Sequence, residues 1–204
     1  MEQKRDNTEE KILNAAQEVF IRKGMDGARM QEIADEAGIN KALLHYYFRS
    51  KDKLFDAIFS KVIEFAFPRI SIILSGESSF VARFEQFIDI YIELLMKHPF
   101  LPGFILKELN RDPSGLFKLI ARRGLRPDLV ISHVEQAMER GEIVRMNPRH
   151  FLVNVVSLCV FPFAARPMVG YLFFENDAGA QEAFYRERAA VVKKFVLDSI
   201  LVKK

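Results

Sequence analysis

Helix start and stop signals recur along the whole chain and constrain its fold more than any other feature. No segment shows the sustained alternation of apolar and polar residues that predicts a β-strand. Instead, the capping residues Asn40, Ser50 and Asn147 each precede an apolar stripe of helical period, and Gly38 and Gly141 follow such stripes. The sequence therefore predicts an all-α protein of about eight to ten helices.

The same signals set the expected helix bounds. An Asn7–Glu10 cap opens the first helix and Gly24 ends it. Pro127 and Pro148 each follow a capping position, at the first helical residue, where the missing N–H costs nothing. The expected helices cover residues 7–23, 29–37, 41–48, 51 to about 68, 80–97, 102–110, 127–140, 148 to about 174 with a kink, and 183–202.

Residues 151–174 come closest to the pattern of a membrane span. Their uncharged part, 151–165, has 15 residues, whereas a spanning helix needs roughly 20. Pro162, Arg166 and Pro167 then interrupt the run, so we expect a kinked helix buried in the core. The first residues lack the apolar stretch of a signal peptide. We therefore expect a cytoplasmic protein with no membrane partner.

The phenylalanines divide the chain into two parts. Only Phe20 and Phe48 of the 19 phenylalanines fall in the first 50 residues, where the apolar positions are mostly Ala and Ile. This contrast predicts a small N-terminal domain, residues 1–54, and a larger Phe-rich helical domain, residues 55–204. The two are joined without a linker, through the helix that begins at Lys51.

The second and third helices have the spacing of a helix-turn-helix. The three residues Gly38-Ile39-Asn40 separate them, and a short turn containing glycine lets two helices cross near a right angle. Their expected shared interior is Ile33, Ala34, Ala37, Ile39, Leu44 and Phe48. The outer face of the third helix then carries Lys41, Ala42, Leu43, His45 and Tyr46. A helix exposed in this way fits the major groove of DNA.

Net charge alone does not indicate a nucleic-acid partner. The chain carries +3, and residues 1–54 hold ten basic and ten acidic side chains. Residues 41–53, however, carry four basic side chains against Asp52 alone. This local excess suits a surface that contacts phosphates, although a solvated charged face explains the charge equally well.

Residues 10–58 resemble the DNA-binding domain of the tetracycline-repressor-like (TetR) family. The matching residues are Ile12-Leu13-Asn14-Ala15-Ala16, Phe20, Gly24, Ile33-Ala34-Asp35-Glu36-Ala37-Gly38, Leu44-His45-Tyr46-Tyr47-Phe48, Ser50-Lys51 and Leu54-Phe55. The resemblance implies a homodimeric transcriptional regulator. It further implies a repressor that binds a palindromic site in double-stranded DNA and is released by a small-molecule effector.

The resemblance also assigns roles to residues. It implies base or flanking phosphate contacts for Lys41, Ala42, Leu43, His45 and Tyr46, phosphate contacts for Tyr47 and Lys51, and a phosphate or base contact for Gln31. Two departures stand out. Ala28 and Arg29 replace the paired hydroxyl residues that usually open the second helix; Ala is a poor cap, but Arg29 can supply a charged phosphate contact. His45 replaces the usual tyrosine, so we expect a different base preference.

The remaining residues resemble the family's ligand-binding and dimerisation bundle in layout only. Candidate residues of a largely apolar effector pocket are Tyr91, Phe104, Asn154 and Ser157, although ordinary core or edge residues would show the same pattern. The last helix is apolar over more than one face, with Tyr185 and Val192 on one stripe and Phe195 beside it. We expect it to form a two-fold interface together with the helix of residues 151–174.

Other classes of protein are not supported. The single Cys159 excludes an intrachain disulfide and a multi-cysteine zinc site, and its apolar neighbours predict a buried, unreactive thiol. No nucleophile elbow, His-Glu-x-x-His motif or Gly-rich phosphate loop occurs, so we expect no enzyme, metal or cofactor. The remaining alternatives are a family member that retains the fold as a protein-interaction module and, more remotely, an enzyme.

Overall fold

The computed structural model describes residues 2–76, 78–111, 114, 118, 121 and 126–202, with the backbone alone at 2–6, 67, 71, 74–75, 104, 107–108 and 111. Ten named helices lie in these ranges: α1 (Glu2–Gly27), α2 (Met30–Glu36), α3 (Lys41–Tyr47), α4 (Lys51–Ser75), α5 (Phe80–Lys97), α6 (Leu101–Arg111), α7 (Pro127–Glu139), α8 (Pro148–Ala164), α9 (Arg166–Phe174) and α10 (Ala178–Ile200). The described ranges contain no strand beyond one isolated antiparallel bridge, Ile143–Leu201. The all-α prediction is confirmed.

Local capping explains why the short helices begin where they do. The Asn40 side chain accepts a hydrogen bond from the backbone N–H of Leu43 at 2.8 Å. The Ser50 hydroxyl accepts one from the N–H of Lys53 at 3.2 Å. Gly38, in the turn between α2 and α3, has a φ of 65°, which glycine adopts without steric cost. The predicted starts of α3 and α4, and the predicted turn between α2 and α3, are therefore confirmed.

Two predicted helix starts are wrong. α1 begins at Glu2 rather than at Asn7, because good helix-forming residues precede Asn7 and continue the helix upstream. Gly24 interrupts α1 with a φ of 68°, but the helix resumes as far as Gly27. α10 begins five residues earlier than expected, since the Asp177 carboxylate accepts hydrogen bonds from two N–H groups of its first turn.

Two hydrophobic clusters form the interior. The first joins α1 to α4 around the fully buried Phe20, Leu44 and Leu54, and it also takes in Leu101 from α6. The second joins α5, α7, α8 and α10, with Ile88 fully buried. The domain boundary expected between residues 54 and 55 stays a prediction, since α4 runs through it without a break.

Three phenylalanines connect the N-terminal helices to a distant part of the chain. The ring centroids of Phe20 and Phe55 lie 5.4 Å apart, and Phe100 lies 5.5 Å from Phe55 and 6.1 Å from Phe20. Phe100 stands in the connection between α5 and α6. The turn before α6 is therefore packed against the core that supports the helix-turn-helix.

α8 and α9 meet at a bend of 78°, which confirms the predicted kink. No single helix among the described residues is long and apolar enough to span a membrane; α8 and α9 reach that length and hydropathy only when taken together. The expectation of a buried helix is only half right. One side of α8 is buried, including Cys159, whereas Val153 on the other side is 63% exposed.

Candidate nucleic-acid interface and apolar cavity

α3 presents one face to the core and the opposite face to solvent. Leu44 is fully buried, and Phe48, just after the helix, is 8% exposed. These two side chains fix the rotation of α3 about its axis. The exposed side carries the five residues expected to read DNA: Lys41, Ala42, Leu43, His45 and Tyr46.

The two tyrosines of α3 have different surroundings. Tyr46 is 64% exposed, whereas Tyr47 is half-buried and packs against the first cluster. Their rings meet edge to face, with centroids 5.5 Å apart. Tyr47 is therefore anchored at its base, and its ring supports the ring of Tyr46 at the surface.

The start of α2 is stabilised differently from what the sequence suggested. Ala28 is buried, at 3% exposed, and the N-cap position is held by Arg29. An arginine side chain has no acceptor atom, so it cannot cap the helix itself. The Glu32 carboxylate instead accepts a hydrogen bond from the Arg29 N–H at 3.3 Å. The guanidinium of Arg29 is left exposed at the same end of α2 as Gln31, whose amide donates to the Asp35 carboxylate at 2.8 Å.

Ion pairs with α1 engage two acids of α2. Lys23 Nζ lies 2.7 Å from Glu32 Oε1, and Arg22 pairs with Glu36. Each cation, mainly through its hydrogen bond, lowers the pKa of the carboxyl group that it contacts. The acids are thus neutralised on the side of α1, and the basic residues of α3 and early α4 keep their local excess of charge.

Lys51 connects the start of α4 to backbone atoms that are distant in sequence. Its Nζ donates hydrogen bonds to the carbonyls of Asp26 at 3.2 Å and Ala28 at 3.1 Å. Asp26 lies in the last turn of α1 and Ala28 in the connection to α2, so Lys51 ties the start of α4 to the end of α1 and to the segment that precedes α2. The ammonium carries three donors, and these two bonds leave the third for another acceptor.

The helix-turn-helix region and the whole chain both match known proteins. Residues 12–58 match the family described as bacterial regulatory proteins, tetR family. The chain is 30% identical to the nucleoid occlusion factor SlmA of Mannheimia succiniciproducens over 165 residues, which cover 78% of this chain and 76% of that protein. The chain belongs to the TetR family.

Further relatives of this TetR-family chain agree with that assignment. It is 28% identical to the HTH-type transcriptional regulator RutR of Escherichia coli O157:H7, over 93% of this chain and 88% of that protein. The structure of the ketosteroid transcriptional regulator KstR2 of Mycobacterium tuberculosis has the same fold, with a TM-score of 0.70 at 16% identity, covering 96% and 95% of the two chains. The family consists of helix-turn-helix regulators, and the residues that match its model contain α2, α3 and most of α1. We call α1 to α3 the DNA-binding unit, after the role expected of them.

A cavity of about 310 Å³ lies between α4, α5, α7 and α8 of this TetR-family fold. Its described lining is Ile70, Phe80, Arg83, Phe84, Phe87, Pro127, Val130, Ile131, His133, Val134, Phe151, Leu152, Val155 and Val156. Among these residues, only Arg83 and His133 carry titratable side chains. No group of three or more His, Cys, Asp or Glu residues in the described part of the chain could hold a metal ion.

The structure describes the side chains of three of the four predicted pocket residues, and it places Asn154 and Ser157 together. Tyr91 stacks on Phe87, with centroids 5.4 Å apart, and burial raises the pKa of its phenol. Asn154 and Ser157 lie side by side on the exposed side of α8. The side chain of Phe104 lies outside the described part of the structure. None of the four is among the described residues that line the 310 Å³ cavity.

The exposed sides of α8, α9 and α10 carry many large apolar side chains. They are Val153, Val156, Phe161, Met168, Tyr171, Leu172, Phe173, Val191 and Phe195, each between 43% and 71% exposed. Asn154 and Ser157 lie in a depression of this surface together with Phe161 and Phe195. The sequence predicted an interface formed by the last helix and the helix of residues 151–174, but it assigned these two polar residues to an effector pocket.

Proposed function

We propose that this protein is a homodimeric, cytoplasmic repressor that binds a palindromic operator and is released from it by a small-molecule effector. The observation that carries the DNA-binding part is the orientation of α3. Its buried Leu44 and its ordered N-cap at Asn40 hold Lys41, Leu43 and Tyr46 in solvent, where the end of a recognition helix meets base edges.

Contacts to phosphate would surround this reading face. Arg29 is exposed at the start of α2, and Lys51 has a donor left beyond its two carbonyl bonds. Tyr47 and Gln31 lie at the same surface, with the roles that the family resemblance gives them. Phosphate contacts fix the register of the protein on DNA, while base contacts select the sequence. We assign Ala42 and His45 to the residues that contact bases, together with Lys41, Leu43 and Tyr46.

DNA binding is tested with Lys41→Ala and Tyr46→Ala in a titration against the upstream region of the protein's own gene. Each should weaken binding by about tenfold or more, since one good base contact contributes ~1–3 kcal/mol. Lys61→Ala is the matched control, because Lys61 is exposed on α4 about 15 Å along the helix from Lys51. Unchanged affinity in both recognition-helix variants would reject the assignment.

The apolar surface of α8 to α10 supports the dimer. Monomeric proteins rarely expose large contiguous apolar patches, and two helices from each copy would cover this one as a four-helix bundle. Arg188 joins α10 to α8 through a 2.7 Å hydrogen bond to the carbonyl of Leu158. The helices that would form the interface are thus already fixed to each other within one protomer.

Sedimentation at micromolar concentration tests the dimer. The wild-type protein should sediment as a dimer, and Phe195→Glu should give a monomer, because it places a charge in an apolar interface. Leu129→Glu is the control, since Leu129 is an apolar residue of α7 with 47% exposure outside this surface. A monomeric wild-type protein would contradict the proposal.

The position of the cavity supports release of the DNA by an effector. Its lining includes Ile70 of α4, and the other end of α4 holds the DNA-binding unit through Lys51, about 28 Å away along the helix. Pro68 lies two residues before Ile70 and cannot donate a helical hydrogen bond. A ligand that favours one position of α4 would thereby shift the distance between the two recognition helices of the dimer.

A further inference from the structure

The cavity between α4, α5, α7 and α8 combines an apolar wall with one basic end. Phe80, Phe84 and Phe87 of α5 supply much of the wall. Arg83 of α5 and His133 of α7 supply the basic end, and they are close enough for the Arg83 charge to act on the imidazole. Two helices thus place their polar side chains at the same part of an otherwise hydrophobic site.

His133 has a polar atom without a partner at this end. Its Nδ1 is buried from solvent and makes no hydrogen bond in the described part of the chain. Burial first, and then the charges of Arg83 and Arg140, hold the pKa of this imidazole below its ordinary value. A buried polar nitrogen without a partner costs free energy, and a ligand acceptor atom would remove that cost.

The acid beside the basic end is itself engaged by other groups. Glu142 is shared between Arg140, whose Nε lies 2.6 Å from Oε1, and the backbone N–H of Phe80, which donates to Oε2 at 3.0 Å. Glu142 is therefore held by groups other than His133, and the guanidiniums of Arg83 and Arg140 both contribute positive charge at this end of the cavity. The positive end of the α5 dipole, capped by Ser79, adds to the same sign of potential.

We propose that the cavity takes an amphipathic carboxylate, with the carboxylate at Arg83 and His133 and an apolar body along the α5 phenylalanines. This inference rests on the proposed effector role of the cavity. A volume of about 310 Å³ holds about ten non-hydrogen atoms at the ~30 Å³ that a water-sized group takes. Arginine is the side chain that best fits a carboxylate, through paired hydrogen bonds.

Calorimetry with the full-length protein tests the ligand class. Three probes share one eight-carbon chain and differ in charge: octanoate, 1-octanol and octylamine. The wild-type protein should bind octanoate at least about tenfold more tightly than 1-octanol, and octylamine most weakly, because a charge-assisted hydrogen bond in an apolar site contributes strongly to binding. Equal affinity for octanoate and 1-octanol would overturn the proposal.

Two variants locate the carboxylate. Arg83→Gln should weaken octanoate binding by about tenfold or more, and His133→Phe by severalfold, while both leave 1-octanol binding unchanged. Arg186→Gln is the control, since it removes one positive charge from an exposed residue of α10 and should change neither affinity. Octanoate affinities within about twofold of wild type in both cavity variants would refute the assignment.

A third variant tests whether the probes occupy this cavity. Val130→Trp fills it from α7 and should abolish binding of octanoate and 1-octanol alike; retained octanoate binding would overturn the proposal.

Measuring operator affinity with bound octanoate tests the ligand class and the effector role of the cavity separately. Arg83-dependent octanoate binding that leaves operator affinity unchanged would support the ligand class and reject effector release. Release by 1-octanol but not by octanoate would reject the ligand class alone.

Discussion

Replacing Lys51 with methionine tests whether this residue holds the DNA-binding unit together. Methionine keeps an unbranched, apolar side chain of similar length and removes the donors to the carbonyls of Asp26 and Ala28. Lys53→Met is the matched control. Lys53 lies in the same first turn of α4, is 73% exposed, and forms a 3.7 Å ion pair with Asp56.

The expected loss follows from the environment of the two bonds. A hydrogen bond from a charged donor contributes ~1.5–3 kcal/mol to stability, but one of these bonds is exposed and the other only part-buried. Discounting for solvent leaves ~1–3 kcal/mol for Lys51→Met. The exposed pair of Lys53 contributes ~0–1 kcal/mol. Both substitutions remove a positive charge from the same helix end, so that effect cancels in the comparison.

Thermal unfolding followed by circular dichroism gives the result directly. After subtraction of the Lys53 contribution, the two methionine variants should differ by ~1–2 kcal/mol. For a chain of this length, 1 kcal/mol shifts Tm by ~2–4 °C, so Lys51→Met should melt about 2–8 °C below Lys53→Met. Protomer concentration is kept equal, because the stability of a dimer depends on it. Lys51→Arg should retain most of the stability, since a guanidinium can donate to both carbonyls. Equal Tm values for the two methionine variants would refute the assignment of Lys51 as a structural tie.

Three further outcomes are expected. Tyr185→Phe should lower the free energy of unfolding, measured by chemical denaturation, by ~1–2 kcal/mol. The buried phenol donates to the carbonyl of Pro162 at 2.8 Å, and its loss leaves that acceptor unpaired. An unchanged free energy of unfolding would mean that another donor replaces the phenol. Phe100→Ala should lower the free energy of unfolding by ~2–4 kcal/mol, because it removes one ring from the aromatic cluster that Phe100 forms with α1 and α4. Chemical denaturation that follows the N-terminal helices measures this loss, and a loss below ~1 kcal/mol would contradict the packing. Stability should fall as the pH drops below about 6.5, because burial lowers the pKa of His98 and the unfolded chain binds the proton first. His98→Gln should flatten this dependence, and a pH profile that this variant leaves unchanged would argue against a role of His98.

Much of the helix-turn-helix could be predicted because its signals are local. Asn40, Ser50 and Gly38 act on N–H groups or backbone angles within three residues of themselves, so their roles can be derived from the sequence alone. The exposed face of α3 follows from the same short range, once Leu44 and Phe48 are assigned to the core. The family resemblance depended on these same positions.

The cavity and the tie at Lys51 could not be predicted, because they depend on contacts between distant segments. Lys51 binds carbonyls 23 and 25 residues away, and no local pattern shows that pairing. Arg83 and His133 come from different helices, so only the packing of α5 on α7 shows that they share a site. Asn154 and Ser157 were assigned to a pocket because they interrupt an apolar helix, but the apolar side of α8 that carries them faces outward.

The contact of Phe100 with Phe20 and Phe55 limits how freely this DNA-binding unit can be exchanged between proteins. A graft of residues 1–54 onto another scaffold would leave behind Phe55, Leu101 and Phe100, which complete the core beneath the recognition helix. Such a chimera would expose apolar surface at the joint unless the host supplied rings of the same size. Under the proposed function, a change in DNA-sequence preference is therefore easier by substitution on the outer face of α3 than by recombination of whole segments.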